Sequence, residues 1–240
     1  MKPIRIAMWS GPRNISTTMM RSFSSRSDTH VTDEPFYAYY LKRSGVTHPG
    51  YEQILESNTT DYDHIMNRLI NHIPNKKSIW YQKHMAHHLD PNDNLKWTNS
   101  FLNCLLIRDP NYVIASYIKK NDLKNIEELG YTQLLKIFQY HDNQIPIVDA
   151  KDILLNPEGM LRKLCFLFNI VFEEKMLSWD KGAHPQDGIW GKYWYDKLWE
   201  SSTFSLYEEK ESIIDDAYKD ILEECINIYD ELYQYRVQTA

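Results

Sequence analysis

Short apolar runs rich in strand-forming residues alternate along this chain with longer segments that carry apolar residues at helical spacing. Continuous apolar runs are typical of strands buried on both faces of a parallel sheet, and strands that alternate with helices indicate α/β folds. The pattern therefore predicts a three-layer α/β/α fold with a central parallel sheet of about five strands. The runs span residues 4–9, 29–34, 78–85, 103–108 and 144–150.

The segments between these runs predict helices, an insertion and an irregular region. Residues 44–75 are polar and interrupted by glycine and proline, which indicates an insertion over the site rather than part of the sheet. Residues 179–204 are irregular and heavily aromatic, whereas residues 205–235 are acidic and amphipathic, as in a surface helix or helix pair. Further helices are predicted after Ser16 and over residues 36–42, 61–72, 123–140 and 157–169.

Size and composition indicate one ordinary globular domain. A chain of 240 residues can bury one substantial core but hardly two, so residues 1–240 are predicted to form a single domain. The net charge of −6 provides no general basic field for nucleic acid or anionic lipid, so an anionic ligand needs a local cluster of arginine and lysine. Widely spaced cysteines, no leader sequence and no apolar run of about 18 residues predict a cytoplasmic protein without a membrane segment.

The first apolar run leads into a loop that is suited to an anion. Residues 10–12 break the strand, and the Ser-Thr-Thr sequence at residues 16–18 opens a helix, so free N–H groups converge beside Arg13. The spacing from Gly11 is that of a Walker A loop, but Thr17 replaces the lysine that contacts the β and γ phosphates. This replacement argues against ATP or GTP hydrolysis. An ordinary strand-to-helix turn with a Ser or Thr cap is the alternative interpretation.

Two further strand ends carry groups that are suited to proton transfer. Glu34 precedes Pro35 at the end of the second run, and His84 lies at the end of the third. Ligands of open parallel sheets bind at this edge. His84, His87 and His88 also suggest a metal site, but a zinc motif would require a helix that begins before His84 and an accompanying glutamate. No metal is therefore predicted.

The fourth run ends in Arg108-Asp109-Pro110, and the proline opens a helix that carries Ser116. Together with the upstream loop, this segment resembles the PAPS-dependent sulfotransferases of the P-loop superfamily, where PAPS is 3′-phosphoadenosine-5′-phosphosulfate. The resemblance covers nearly the whole chain, extends to a bacterial sulfotransferase-like subgroup related to plant proteins labelled aminotransferase-like, and implies a P-loop sulfotransferase-like fold. In the family, the arginine and serine of this segment bind the 3′-phosphate of PAPS.

The same resemblance implies the other contacts with PAPS. The loop after the first strand holds the 5′-phosphosulfate in the family, and the late pattern of Lys181, Gly182, Gly188, Trp190 and Lys192 is similar to a loop that closes over PAPS. The implied PAPS-binding residues are Gly11, Arg13, Asn14, Ser16, Thr17, Thr18, Arg108, Ser116, Lys181 and Lys192.

The reaction that the resemblance implies is in-line transfer of a sulfuryl group, without metal, to a hydroxyl or amine of a small-molecule or glycan acceptor. Arg13 stabilises the charge that grows on the leaving phosphate. Glycan sulfotransferases of this fold use a glutamate near the end of the second strand as the base, and cytosolic ones use a histidine. Glu34 and His84 are therefore both candidates, and Glu34 is preferred because it has little structural reason to be there. A small-molecule kinase with a degenerate P-loop and a catalytically silent nucleotide- or anion-binding module remain alternatives.

Overall fold

The computed structural model describes residues 3–209 and 212–238 of the chain. In these residues, five parallel strands form a central sheet in the order β2-β3-β1-β4-β5, which confirms the predicted sheet. The direction of winding reverses at β1, and ligands of such sheets bind in the crevice outside the carboxyl ends of the strands at this point. The strands are β1 Ile4–Ser10, β2 Thr29–Asp33, β3 Ile79–Met85, β4 Leu102–Ile107 and β5 Ile147–Asp149.

Helices cover the sheet and connect its strands, and none that is described is long and apolar enough to cross a membrane. The α-helices are α1 Ser16–Ser24, α2 Tyr37–Ser44, α3 Tyr51–Ser57, α4 Tyr62–Ile70, α5 Pro110–Tyr117, α6 Tyr131–Tyr140, α7 Ala150–Leu155, α8 Pro157–Leu167, α9 Gly191–Trp194, α10 Asp196–Trp199 and α11 Lys219–Tyr233. Short 3-10 turns lie at Pro74–Lys76, Ala86–His88, Lys96–Ser100, Ile126–Leu129, Glu174–Leu177 and Asp216–Tyr218.

Two separate cores lie on opposite faces of the sheet. On one face α1 packs through Met19 and Phe23, and the Phe23 ring stacks on Tyr81 of β3 with 4.4 Å between the ring centroids. On the other face Trp9 and Trp80 pack beneath α4 and α6. Because successive side chains of a strand point to opposite faces, alternate residues of each strand enter opposite cores.

Three predicted elements begin several residues later than the sequence indicated. Strand β5 has only three residues, because Pro146 lacks the N–H group that would extend the pairing at this edge of the sheet. The helix predicted over residues 123–140 begins at Tyr131, because Gly130 adopts a left-handed φ of 77° that separates it from the preceding turn. In the acidic segment the helix α11 begins only at Lys219, and residues 210–211 of that prediction lie outside the described residues.

Candidate active site

The loop between β1 and α1, here called the phosphate loop, leaves its backbone donors open to an anion. Arg13 adopts a left-handed φ of 56°, and the Asn14 amide donates to the Leu106 carbonyl at 2.9 Å, which fixes the loop against β4. The residue before α1 is Ile15, which provides no side-chain cap, so the predicted alternative of a Ser or Thr cap is wrong. Within the described structure, the N–H groups of residues 16–18 have no hydrogen-bond partner. Such donors at a helix N-terminus form a ready site for an anion.

Gly11 has a packing role in this loop. A Cβ atom at Gly11 would collide with the carbonyl oxygen of Leu129, and a Cβ atom at Gly130 would lie 3.4 Å from the Gly11 Cα. Only glycine therefore lets the turn before α6 close against the phosphate loop.

Two arginines and a serine meet at the edge of the phosphate loop. The Arg13 Nε–H group donates to Ser116 Oγ at 2.9 Å, and Arg108 Nη1 donates to the Arg13 carbonyl at 2.7 Å. Burial lowers the pKa of Arg13, and the neighbouring charge of Arg108 lowers it further. In residues 3–209 and 212–238 neither guanidinium forms an ion pair with a carboxylate. An anion bound between them would relieve their repulsion.

A buried lysine joins two carboxylates at the ends of β2 and β3. Lys83 Nζ lies 3.0 Å from Asp33 Oδ1 and 2.6 Å from Glu34 Oε1. Lys83 follows Tyr81 by two residues, so both side chains face α1. Asp33 and Glu34 are adjacent but reach the same ammonium group, because Glu34 adopts a left-handed φ of 38° that turns its side chain back towards that face. Asp33 and Glu34, here called the acid pair, thus lie on the face of the sheet that carries α1.

The surroundings of this cluster set the protonation of its members. Burial raises the pKa of Glu34, although the charge of Lys83 opposes the shift. Burial lowers the pKa of Lys83, but the charges of Asp33 and Glu34 outweigh it and leave the pKa raised. Lys83 is therefore a cation at neutral pH. It holds Glu34 Oε1, whereas Glu34 Oε2 lies 3.9 Å from His88 Nε2, beyond hydrogen-bonding distance.

The aromatic segment of residues 179–204, here called the late segment, closes over the acid pair. The Tyr195 hydroxyl donates to Asp33 Oδ2 at 2.8 Å and accepts from Lys83 Nζ at 2.7 Å. The N–H group of Gly188 also donates to Asp33 Oδ2, at 3.0 Å. Asp33 is thus the point at which β2, β3 and the late segment are joined.

His84 lies on the opposite face of the sheet from Glu34. Its ring stacks on Trp9 with 4.3 Å between the centroids, and its Nε2 atom is 3.1 Å from Gln82 Oε1. Burial lowers the pKa of His84 to about 3, so the ring is neutral at physiological pH. The structure separates His84 from Lys83 because neighbouring residues of a strand point in opposite directions. The two candidate bases, His84 and Glu34, therefore lie on opposite faces of the sheet.

Two other histidines lie beside the acid pair within an aromatic group from α2. Tyr37 and Tyr40 stack on the ring of His88 with centroid distances of 4.9 Å and 4.8 Å. Burial lowers the pKa of His87 to about 3. Among the described residues, no group of three or more His, Cys, Asp or Glu side chains is arranged to hold a metal ion.

The two lysines predicted to close over PAPS do not contact the phosphate loop in this structure. Lys192 Nζ donates to Gln53 Oε1 of α3 at 2.8 Å and lies 4.9 Å from the centroid of the Tyr193 ring. The side chain of Lys181 is exposed to solvent. Of the residues predicted as PAPS contacts, the structure brings together the phosphate loop, Arg108 and Ser116.

Three members of the acid-pair cluster were not among the site residues predicted from sequence: Asp33, Lys83 and Tyr195. Asp33 and Lys83 carried a signal, because each is a charged residue in the last positions of an otherwise apolar strand run. Tyr195 carried none, since it is one of 17 tyrosines and reaches the cluster only through a tertiary contact.

Comparison with known proteins identifies the family of this chain. A family model described as a sulfotransferase domain matches residues 4–235. Branched-chain-amino-acid aminotransferase-like proteins 2 and 1 of Arabidopsis thaliana are 33% identical over 230 residues and 31% identical over 234 residues, respectively. The matches cover 93% and 95% of this chain but only 40% and 41% of the relatives, so the chain spans about two-fifths of their length.

Several solved sulfotransferase structures share the fold at low sequence identity. The sulfotransferase domain from the curacin biosynthetic pathway has a TM-score of 0.53 and 14% identity, with 98% of this chain and 99% of that one covered. The sulfotransferase from Alicyclobacillus acidocaldarius has a TM-score of 0.56 and 9% identity, with coverages of 99% and 98%. Mouse sulfotransferase SULT7A1 complexed with PAP has a TM-score of 0.50 and 10% identity, with coverages of 98% and 90%. These matches confirm the predicted sulfotransferase-like fold.

Proposed function

We propose that this chain, which belongs to the sulfotransferase domain family, transfers a sulfuryl group from PAPS to a hydroxyl or amine of a small-molecule or glycan acceptor. The observation that carries the proposal is the hydrogen bond from Arg108 to the Arg13 carbonyl, which brings two guanidinium groups beside the N–H groups at the start of α1. Those N–H groups have no hydrogen-bond partner among the described residues. PAPS carries one anionic group at its 5′ end and another at its 3′ position, so these donors fit both of its ends.

Each end of PAPS has its own donors in this proposal. The N–H groups of residues 16–18 and the positive end of the α1 dipole bind the 5′-phosphosulfate, together with the hydroxyls of Thr17 and Thr18. Arg108 and Ser116 bind the 3′-phosphate, because a guanidinium presents two parallel donors to an oxyanion. Arg13 donates a hydrogen bond to Ser116 and in this proposal lies between the 5′-phosphosulfate and the 3′-phosphate. There it stabilises the charge that develops on the leaving phosphate.

Glu34 is the proposed general base. Lys83 holds its Oε1 atom, and Oε2 accepts the proton of the acceptor hydroxyl while the acceptor oxygen forms a bond to sulfur. The bond between sulfur and the phosphate oxygen breaks, and 3′,5′-ADP leaves with the electron pair. Burial raises the pKa of Glu34, which makes its carboxylate a stronger proton acceptor. The position of His84 on the other face favours Glu34 for this role.

The remaining parts of the proposal concern the alternatives and the compartment. A kinase would need a cation at position 17 for the β and γ phosphates, and Thr17 provides none. A silent module would bind the nucleotide without transferring the sulfuryl group. The three buried, unpaired thiols favour a reducing compartment, and we place the protein in the cytoplasm on that ground.

A thermal-shift panel of PAPS, 3′,5′-ADP, ATP and 5′-AMP separates the sulfotransferase from the kinase, and an assay of sulfuryl transfer separates the sulfotransferase from the silent module. A ligand that binds only the folded state at about 100 times its Kd stabilises the protein by about 2.7 kcal/mol. The sulfotransferase is expected to respond to PAPS and 3′,5′-ADP but not to ATP or 5′-AMP. A response to ATP alone would favour the kinase, and binding of PAPS without transfer to any acceptor would favour the silent module.

A further inference from the structure

A buried ion pair ties the helix that follows the phosphate loop to the late segment. Arg21 Nη2 of α1 lies 2.6 Å from Asp187 Oδ2, and the two side chains are only 1% and 5% exposed. The same Nη2 atom donates to the carbonyl of Gly182 at 3.4 Å. Arg21 lies about one helical turn beyond Thr17, so it moves rigidly with the start of α1.

Asp187 organises the late segment around this ion pair. Its Oδ2 atom accepts from the N–H group of His184 at 2.9 Å and from the indole N–H of Trp199 at 3.1 Å. The next residue, Gly188, donates to Asp33 at the acid pair. One carboxylate therefore fixes both a turn of the late segment and the backbone that reaches Asp33.

We infer that Arg21 and Asp187 are positioning residues that hold the late segment against the acid pair and thereby set the surroundings of Glu34. The contacts run from Arg21 through Asp187 and Gly188 to Asp33, and from there through Lys83 to Glu34. The inference rests on the proposed function, because that function assigns Glu34 as the base.

Stability alone is a poor explanation for this ion pair. A buried ion pair is often no more stable than well-packed apolar residues of the same volume, because both charges lose their hydration. Here Arg21 Nε and Asp187 Oδ1 are also buried without a hydrogen-bond partner among the described residues. What the pair does provide is a single register of the late segment on α1, since among the described residues each of these two charges forms an ion pair only with the other.

Arg26 offers a matched control for Arg21. It follows the same helix, its side chain is 2% exposed, and it pairs with Asp28 at 2.9 Å and Glu173 at 3.1 Å. Its other partners, the Val171 carbonyl and Met176, also lie outside the late segment. Arg26→Gln therefore removes a buried arginine of the same kind without touching residues 179–204.

The first measurement is hydrogen exchange of the ligand-free protein with Arg21→Gln, Asp187→Asn and Arg26→Gln. We expect the first two variants to raise amide exchange over residues 182–199 by about tenfold or more, while β1 and β4 stay protected. Arg21→Lys, which keeps the charge, is expected to retain most of the protection. Arg26→Gln is expected to leave residues 182–199 as in the parent protein.

The second measurement is the pKa of the Glu34 carboxyl, followed by NMR with ¹³C-labelled glutamate and assigned with Glu34→Gln. Opening of the late segment admits water, so in Arg21→Gln and Asp187→Asn the pKa of Glu34 is expected to fall towards its ordinary range. An unchanged pKa despite faster exchange would overturn the inference, and so would the same changes in Arg26→Gln. Both measurements are made without nucleotide, so a failure to bind 3′,5′-ADP would refute the proposed function and not this coupling.

Discussion

Replacement of Lys83 by methionine tests whether one cation holds the two carboxylates of the acid pair together. Lys83 Nζ lies 3.0 Å from Asp33 Oδ1 and 2.6 Å from Glu34 Oε1. At an effective dielectric constant of about 20, each such charge pair is worth about 5–6 kcal/mol before the cost of desolvation. Methionine keeps most of the length of the lysine stem but leaves two adjacent, uncompensated carboxylates. Because loss of one partner from a buried pair costs about 3–5 kcal/mol, we expect Lys83→Met to lower the free energy of unfolding by about that amount at pH 8.

The pH dependence of this loss identifies its electrostatic origin. Without Lys83 the folded-state pKa of Glu34 rises further, because the charge of Lys83 no longer opposes the effect of burial, and a raised carboxyl pKa destabilises the folded state as the pH increases. Urea unfolding is therefore expected to show a larger deficit at about pH 8 than at about pH 5. Lys192→Met is the matched control. This lysine is exposed and donates a hydrogen bond to the neutral side chain of Gln53, so its loss should change stability by less than about 0.5 kcal/mol. A deficit of equal size at both pH values, or one below about 1 kcal/mol at pH 8, would refute the reasoning.

Three further substitutions test the other buried groups. Glu34→Gln is expected to keep 3′,5′-ADP affinity and to lower turnover by about two to four orders of magnitude once an acceptor is known, and His84→Asn is expected to cost less. The reverse order of damage would assign the base to His84. Burial raises the pKa of Asp149 to about 6, so its contribution to stability is present at low pH and is lost as the pH rises from about 4 to about 6. In Asp149→Asn the remaining oxygen still accepts from the Lys151 N–H group, and the amide NH2 donates to the Tyr229 hydroxyl, which is 3.0 Å from Asp149 Oδ2. This substitution is expected to raise Tm at pH 7 and to flatten its pH dependence. A lower Tm than that of the parent protein at pH 7 would contradict this expectation.

Elements with a local signal were predictable from the sequence. The phosphate loop follows from a strand broken at Gly11 and a helix opened by residues 16–18, and the β4–α5 unit follows from Arg108 and Pro110. In each case the residues that carry the signal are close together in the chain. Apolar runs likewise predicted five strands, although Pro146 shortened β5.

Strand parity alone does not separate the two candidate bases. Strands β2 and β3 are parallel with Asp33 opposite Lys83, so parity would place Glu34 and His84 on the same face of the sheet. Lys83 and His84 are adjacent in β3, so only one of them can point to the face of α1. By the same rule the side chain of Glu34 would point away from that of Asp33. Its left-handed φ of 38° turns it back to the face of Asp33 and Lys83. A backbone conformation of this kind at a non-glycine residue leaves no mark in the sequence.

Contacts between distant segments were beyond the sequence for a different reason. Tyr195 reaches Asp33 across 162 positions of the chain, and Asp187 reaches Arg21 across 166. Nothing in the spacing of the aromatic residues in the late segment distinguishes Tyr195 from its neighbours. These contacts are set by the way the late segment packs on α1 and on the end of β2.

The most direct test of the proposed function is calorimetric binding of 3′,5′-ADP and 5′-AMP to the parent protein, Arg108→Ala and Arg162→Ala. Arg108 and Ser116 are expected to make 3′,5′-ADP bind more tightly by about 2–3 kcal/mol, which is roughly 30- to 150-fold. Arg108→Ala should largely erase this preference, whereas Arg162→Ala should preserve it, since Arg162 is an exposed residue of α8 that pairs with Glu158. Equal affinities for the two nucleotides in the parent protein would contradict the assignment of the 3′-phosphate site and, with it, the use of PAPS.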